Sequence, residues 1–292
     1  MDSILNNLKQ EFNQGTITNK LIYINVGIFL LFSILGVFSF MFQFDFQAIL
    51  NKLYLPANPS ILIKQPWSFL SYMFLHSGFL HLLFNMVWLH FGGKLFLQYL
   101  NPKQLLSTYI LGGFFGGILF IIAYNYVPAF ELLAAQASAV GASASVLAIV
   151  IAIATYTPNY PVQFPFIGFI KLKYIAIFMV LLDILSIPKG NAGGHIAHLG
   201  GALFGYLYIK QLQTKNNLSF NLSNFLERLI NTFKTKSKLK KVHKRAKSDF
   251  EFNAEKSAKQ KEVDKILEKI ANSGYESLSK EEKTTLFSAS KK

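Results

Sequence analysis

FLSYMFLHSGFLHLLFNMVWLH, residues 69–90, is the stretch on which the fold turns. It is apolar enough to enter a bilayer, yet it carries His76, His81, Asn85 and His90. Polar and ionisable side chains within a membrane span are costly, and they face a protein interior or a wet cavity rather than lipid. His81 and Asn85 stand four residues apart, so a helix presents them on one face. Such a span belongs to a bundle that encloses polar groups, and the rest of the chain is read for its partners.

The 292-residue chain is 52% hydrophobic and only 15% charged, against about 25% in soluble proteins. The charge is also segregated: Gln211–Lys292 holds 19 of the 29 Lys/Arg and 10 of the 15 Asp/Glu. At about 20 apolar residues per crossing, six spans are read: Leu21–Phe42, Phe69–Phe96, Leu105–Val127, Ala139–Tyr156, Ile170–Ile187 and His195–Ile209. The first twenty residues show no signal-peptide pattern, so the first span is expected to be retained. With six spans, Lys9, Lys20, Lys103, Lys171, Lys173 and the basic tail fall on one side, which the positive-inside bias makes the cytoplasm. Lys52, Lys64 and Lys189 fall on the other.

The expected fold class is therefore an all-α polytopic membrane protein. It divides into a cytoplasmic segment 1–20, a six-helix membrane domain 21–212, a basic juxtamembrane linker 213–250 and a small helical tail 251–292. The expected bilayer is a bacterial plasma membrane, with both termini cytoplasmic. The loop Asp45–Pro66 is long and partly apolar, and it is expected to lie in the outer interface. Cysteine is absent, which excludes disulfides, thiolate nucleophiles and Cys-ligated metals.

In the six-span layout the second, fourth and sixth spans run in one direction, and their polar residues cluster in their outer parts. The fourth begins AVGASASV with Ser143 and Ser145, and the sixth begins GGHIAHLGG with His195 and His198. Small residues recur every four positions at Ala144, Ala148 and Ala152, and again at Ala197, Gly201 and Gly205. Such stripes let helix backbones approach closely, which would bring Ser143 toward His198. A serine hydroxyl becomes a nucleophile when a neutral histidine takes its proton. The oxyanion formed on attack at a carbonyl needs fixed donors, and Asn85, His81 and the Ser143 N–H are suited to that.

These motifs, HSGFLHLLFN, GASA and AHLGGALFG in this order, resemble those of the rhomboid intramembrane serine proteases. The resemblance spans about Leu21–Lys210. It implies Ser143 as nucleophile within Gly141-Ala142-Ser143-Ala144, and His198 as base, because Ala197-His198 is followed by Gly201 and Gly205. It further implies Asn85 and His81 as oxyanion residues, with Gly141 and His76 in support. The implied substrates are transmembrane segments of other proteins, cleaved without metal, nucleotide or organic cofactor. The chain departs from the family pattern at Ala144, which replaces a glycine, at Trp67-Ser68, at Leu147 and after Gly92-Gly93, where an acid found in some relatives is missing.

Asp183 is an intramembrane acid and a functional candidate by default, but it is read as an interfacial or capping residue and is not assigned to the catalytic unit. His195 and His90 are read as structural. Zinc is set aside because the spans lack an HExxH pattern and nearly lack acids. Lys234–Lys247 contains eight Lys/Arg and no acid, which suits anionic lipid headgroups; no aromatic interleaving supports nucleic acid. Beyond it, Val263, Ile266, Leu267 and Ile270 form one helical face, Gly274 is the expected stop, and Ser279-x-x-Glu282 reads as a capping box. The rival functions are a catalytically weak or inactive rhomboid-like protein that binds membrane clients, and a transporter. No inverted repeat supports the latter.

Overall fold

The computed structural model describes residues 10, 12–164, 167–214 and 249–289. They fall into two compact units, Met1–Phe233 and Lys234–Lys292.

The first unit is a helical bundle. Helix α1 (Ile17–Phe42) is followed by a short α2 (Phe46–Asn51), strand β1 (Leu55–Pro56), α3 (Pro59–Leu62) and α4 (Ser68–Ser71). Next come α5 (Phe79–Tyr99), α6 (Pro102–Tyr126), strand β2 (Ser138–Ala139) and α7 (Ser143–Tyr156). The hairpin β3–β4 (Pro161–Phe164, Gly168–Lys171) leads into α8 (Leu172–Ser186) and α9 (Ala192–Gln213). Among the described residues, α1, α5 and α6 are long and apolar enough to cross a membrane, and α7 is a shorter apolar helix. Leu30, Leu31, Ile34 and Val37 of α1 and Phe178, Leu181 and Leu185 of α8 point outward and are exposed. Lipid, and not water, can cover apolar surface on this scale.

Local chemistry sets the helix ends. Thr16 caps α1, accepting from the Asn19 N–H at 3.3 Å. Asn101 and Gln104 form a reciprocal capping box at the start of α6, with Pro102 in the first turn, so α5 and α6 join through two residues.

The second span departs from its sequence reading. It is not one helix from Phe69. Ser68–Ser71 is a single α-turn, Tyr72–Phe74 a 3-10 turn, and the regular helix starts only at Phe79. Leu75 is extended and Gly78 is the fully extended N-cap. Non-helical backbone at membrane depth is tolerated where protein satisfies it. Here the Gly141 N–H donates to the Tyr72 carbonyl at 2.9 Å, and the Tyr109 hydroxyl donates to the Met73 carbonyl at 3.0 Å.

Helix α7 is the centre of the bundle, and Ala144 to Ala154 are all buried. It also starts later than the sequence suggests, because Ser138–Ala139 pairs antiparallel with Leu55–Pro56 instead of joining the helix. Its 14 residues span about 21 Å at 1.5 Å per residue, short of the ~30 Å hydrocarbon core. Its first residue, Ser143, is therefore presented inside the bundle.

Helices α6 and α9 close on α7 through glycine. A methyl at Gly201 or Gly205 would collide with the Ala144 or Ala148 carbonyl oxygen respectively. A methyl at Gly116 would lie 2.6 Å from Ala144 Cβ and 2.7 Å from the Ala197 carbonyl. The Ala144 side chain thus fits against a glycine, and its backbone is not left-handed. This departure from the family pattern carries no strain.

The Asp45–Pro66 loop is tied to the bundle. Besides the β1–β2 pairing, Trp67 Nε1 donates to the Lys52 carbonyl at 2.8 Å and Asn125 Nδ2 donates to the Ala57 carbonyl at 2.8 Å.

The second unit holds α10 (Asp249–Ser273) and α11 (Lys280–Ala289). Gly274, at φ 76°, ends α10. Ser279 and Glu282 form the reciprocal box opening α11, at 2.7 and 3.2 Å. Lys269 Nζ donates to both Glu282 carboxylate oxygens at 2.9 Å. The basic run Lys234–Lys247 lies outside the described residues.

Candidate active site

One cavity of about 590 Å³ gathers residues of α5, α7, α8 and α9. Ser143, His198, Asn85 and His81 all line it, and so do Asp183, His195 and Leu147. Residues up to 117 positions apart in sequence, His81 to His198, are thereby brought to one space.

Ser143 is the first residue of α7, and no side chain caps that helix. The N–H groups of a first helical turn have no intrahelical partner, and the helix dipole favours negative charge there. The serine therefore sits where an anion is welcome. Gly141 shapes the approach. Its φ of +133° disfavours any other residue, and a Cβ there would lie 2.7 Å from His81 Cε1, 2.9 Å from His81 Nε2 and 3.4 Å from Ser143 Oγ. Only glycine leaves room for the His81 ring beside the serine.

His81 Nδ1 is hydrogen-bonded to Ser77 Oγ at 3.0 Å. Asn85 is buried, and its Nδ2 donates one hydrogen to the His81 carbonyl at 2.8 Å, which leaves the second amide hydrogen for the cavity. His76 does not line the cavity. It lies in the break before α5 and packs edge-on to His81, ring centroids 5.2 Å apart. Neither of its ring nitrogens has a hydrogen-bond partner among the described residues. His90 is exposed on α5 and stands outside the site.

Ser143 and His198 share the cavity, but no hydrogen bond joins them in this structure. His198 is bonded elsewhere: its Nδ1 lies 2.8 Å from Asp183 Oδ1, and His195 Nδ1 reaches the same oxygen at 2.8 Å. This corrects the sequence reading of Asp183 as an interfacial or capping acid; His195, read as structural, is held by the same carboxylate oxygen. A signal was available. Asp183 near the end of α8 and His195/His198 near the start of α9 flank one short connection, so an antiparallel pair sets them level. Asp183, His195 and His198 also have the residue types of a metal site. Their 2.8 Å separations are those of N–H···O hydrogen bonds.

Comparison with known proteins identifies the family. The chain matches the rhomboid domain family over residues 64–213, and a family of unknown function, DUF6576, over residues 247–292. It is 29% identical over 138 residues to "RHOMBOID-like protein 12, mitochondrial" of Arabidopsis thaliana, covering 44% of this chain and 41% of the relative. It is 31% identical over 140 residues to "Presenilin-associated rhomboid-like protein A, mitochondrial" of Danio rerio, covering 47% of this chain and 35% of the relative. The chain thus spans under half the length of these two relatives. Their names place both in mitochondria, which does not fit the bacterial plasma membrane expected from the sequence.

Proposed function

The chain belongs to the rhomboid family, and from that premise we propose that it is an intramembrane serine endopeptidase. Its substrates are transmembrane or membrane-adjacent segments of other proteins. The observation that carries this reading is the convergence of Ser143, His198, Asn85 and His81 on one cavity within an apolar helical bundle.

Ser143 Oγ attacks the scissile carbonyl while His198 takes its proton, and His198 later returns that proton to the leaving amine. The oxyanion is received by the free Asn85 amide hydrogen, the Ser143 N–H and His81 Nε2–H. The Ser77 hydroxyl lies 3.0 Å from His81 Nδ1; when it donates there, the ring proton sits on Nε2, the tautomer this role needs. Gly141 and His76 hold the ring in place. No cofactor or metal is required.

The domain is taken to cross the bilayer six times, with the short or more polar helices α7, α8 and α9 completing the count begun by α1, α5 and α6. Both termini then share the side that carries the basic tail, where Lys234–Lys247 contacts anionic lipid. The domain limits are those of the sequence reading, with 213–250 as linker and 251–292 as a helical tail that binds no nucleic acid. The bacterial plasma membrane is kept only as the alternative to the mitochondrial setting of the relatives' names.

A second reading, a rhomboid-like protein that binds membrane clients without cleaving them, draws on the missing Ser143–His198 hydrogen bond. A base and its hydroxyl can close to hydrogen-bond distance when substrate enters, so the separation leaves the protease reading intact. Reconstitution with a model transmembrane substrate separates the two. Wild type should cleave, and Ser143→Ala and His198→Ala should not. Cleavage no greater than in either variant, across several substrates, would leave the client-binding reading standing.

A further inference from the structure

The side chain of Asp183 is buried, and it is the only acid in α8. One of its oxygens, Oδ1, receives two imidazoles, from His195 and His198. An ionised carboxylate can only accept, so each Nδ1 carries the proton. For His198 this leaves Nε2 as the unprotonated nitrogen, the form a base must present to a hydroxyl. We propose that Asp183 is a positioning residue that makes the catalytic unit a Ser143–His198–Asp183 triad rather than a dyad. His195 serves as the second donor that keeps the carboxylate from swinging away. The inference rests on the protease reading above. In the acylation step the Ser143 proton passes to His198 Nε2 as the Oγ–C bond forms. The Nδ1 proton stays on His198, and Asp183 stabilises the resulting imidazolium without itself becoming protonated. The Nε2 proton then leaves with the amine as the C–N bond breaks.

The test compares wild type with Asp183→Asn, Asp183→Ala and Asp183→Glu in the full chain, reconstituted with a model transmembrane substrate. A residue that merely packs would tolerate the isosteric Asn best. A triad carboxylate would not, because an Asn amide donates to Nδ1 and forces the His198 proton onto Nε2. The expected result is kcat lowered about tenfold or more in Asp183→Asn with KM unchanged, Asn no better than Ala, and partial rescue by Glu. Wild-type kcat in Asp183→Asn would overturn the proposal. Should that variant fail to fold, proton NMR of the wild-type chain decides. A strongly deshielded Nδ1 proton that vanishes in His198→Ala is expected, and its absence overturns the proposal. Activity lost to a chelator and restored by Zn²⁺ would make the cluster a metal site and also overturn it. Wild type no more active than Ser143→Ala would instead sink the protease reading itself.

A separate cavity carries a second inference. It also measures about 590 Å³ and lies between α7, α8 and α9, lined by apolar groups such as Ile151, Ala176 and Leu203. Lys173 opens α8 and Lys210 closes α9, so both stand at the end remote from Ser143. No carboxylate lines this space, and neither lysine has an acidic partner among the described residues. An apolar slot ending in two ammonium groups complements acyl chains with a negative headgroup, and the geometry points to a bound anionic phospholipid. Thermal unfolding of the full chain in detergent tests this. Phosphatidylglycerol should raise Tm more than phosphatidylcholine, glycerol phosphate alone should not, and the double variant Lys173→Gln/Lys210→Gln should erase the difference. A difference that survives the double variant, or one reproduced by glycerol phosphate, would overturn the assignment.

Discussion

Gly201 faces the carbonyl of Ala144 so closely that one added carbon would occupy the place of that oxygen. The contact lies one residue beyond Ser143 and three beyond His198, so the placement of those two side chains depends on it. Gly201→Val should push α9 off α7. Overpacking of this kind costs about 1–3 kcal/mol, or more where backbone must move. The expected outcome is a lower Tm in detergent together with loss of substrate cleavage. Unchanged Tm and cleavage would show that the helix contact is not needed.

Gly141 permits a narrower test. Gly141→Ala places a methyl against His81 at a positive φ, and a non-glycine residue in such a conformation costs of order 1–3 kcal/mol. The strain is confined to a loop beside the serine. Fluorophosphonate labelling of Ser143 should slow sharply while Tm falls only modestly. Labelling at the wild-type rate would remove Gly141 from the site.

Asn85→Ala removes one proposed oxyanion donor. Loss of a single donor of this type lowers kcat about 10²–10³-fold in other serine hydrolases. Here kcat should fall with KM little changed, because the interaction exists only once charge has formed. A rise in KM at constant kcat would make Asn85 a substrate-binding residue instead.

The tail yields a pH prediction. The Ser279 N–H, first, and then Lys269 hold the Glu282 carboxyl below the ordinary glutamate range. A depressed folded-state pKa means that the stabilisation is present above the unfolded pKa and is lost as pH falls through the folded one. Protection of the amides over residues 280–289, measured relative to their intrinsic exchange rates, should therefore hold at neutral pH and fall below the ordinary glutamate pKa. Glu282→Gln should flatten that dependence. An unchanged pH profile in Glu282→Gln would exclude this carboxylate as its cause.

The motifs bearing Ser143, His198, Asn85 and His81 were legible because polar groups in apolar spans stand out, and because four-residue stripes of small residues announce helix contacts. What was not legible depends on backbone leaving its helix. The apolar run from Phe69 to Phe96 gives no sign that the α-helix is broken between Tyr72 and Gly78, because the replacement partners, Gly141 and Tyr109, are distant in sequence. The late start of α7 is hidden for the same reason: Ser138–Ala139 is claimed by a strand more than 80 residues earlier. Asp183 was misjudged because a single acid near a span end has a cheap alternative in interfacial water. Its two histidines come into view only when α8 and α9 are set side by side.

The bond from the Gly141 N–H to the Tyr72 carbonyl has a consequence for biogenesis. The segment that aims Ser143 is held by chain inserted before it, through that bond, the β1–β2 pairing and the bond from the Ala57 N–H to the Ala137 carbonyl. The backbone around Ser143 therefore takes its final shape only when the start of α7 meets chain that entered earlier.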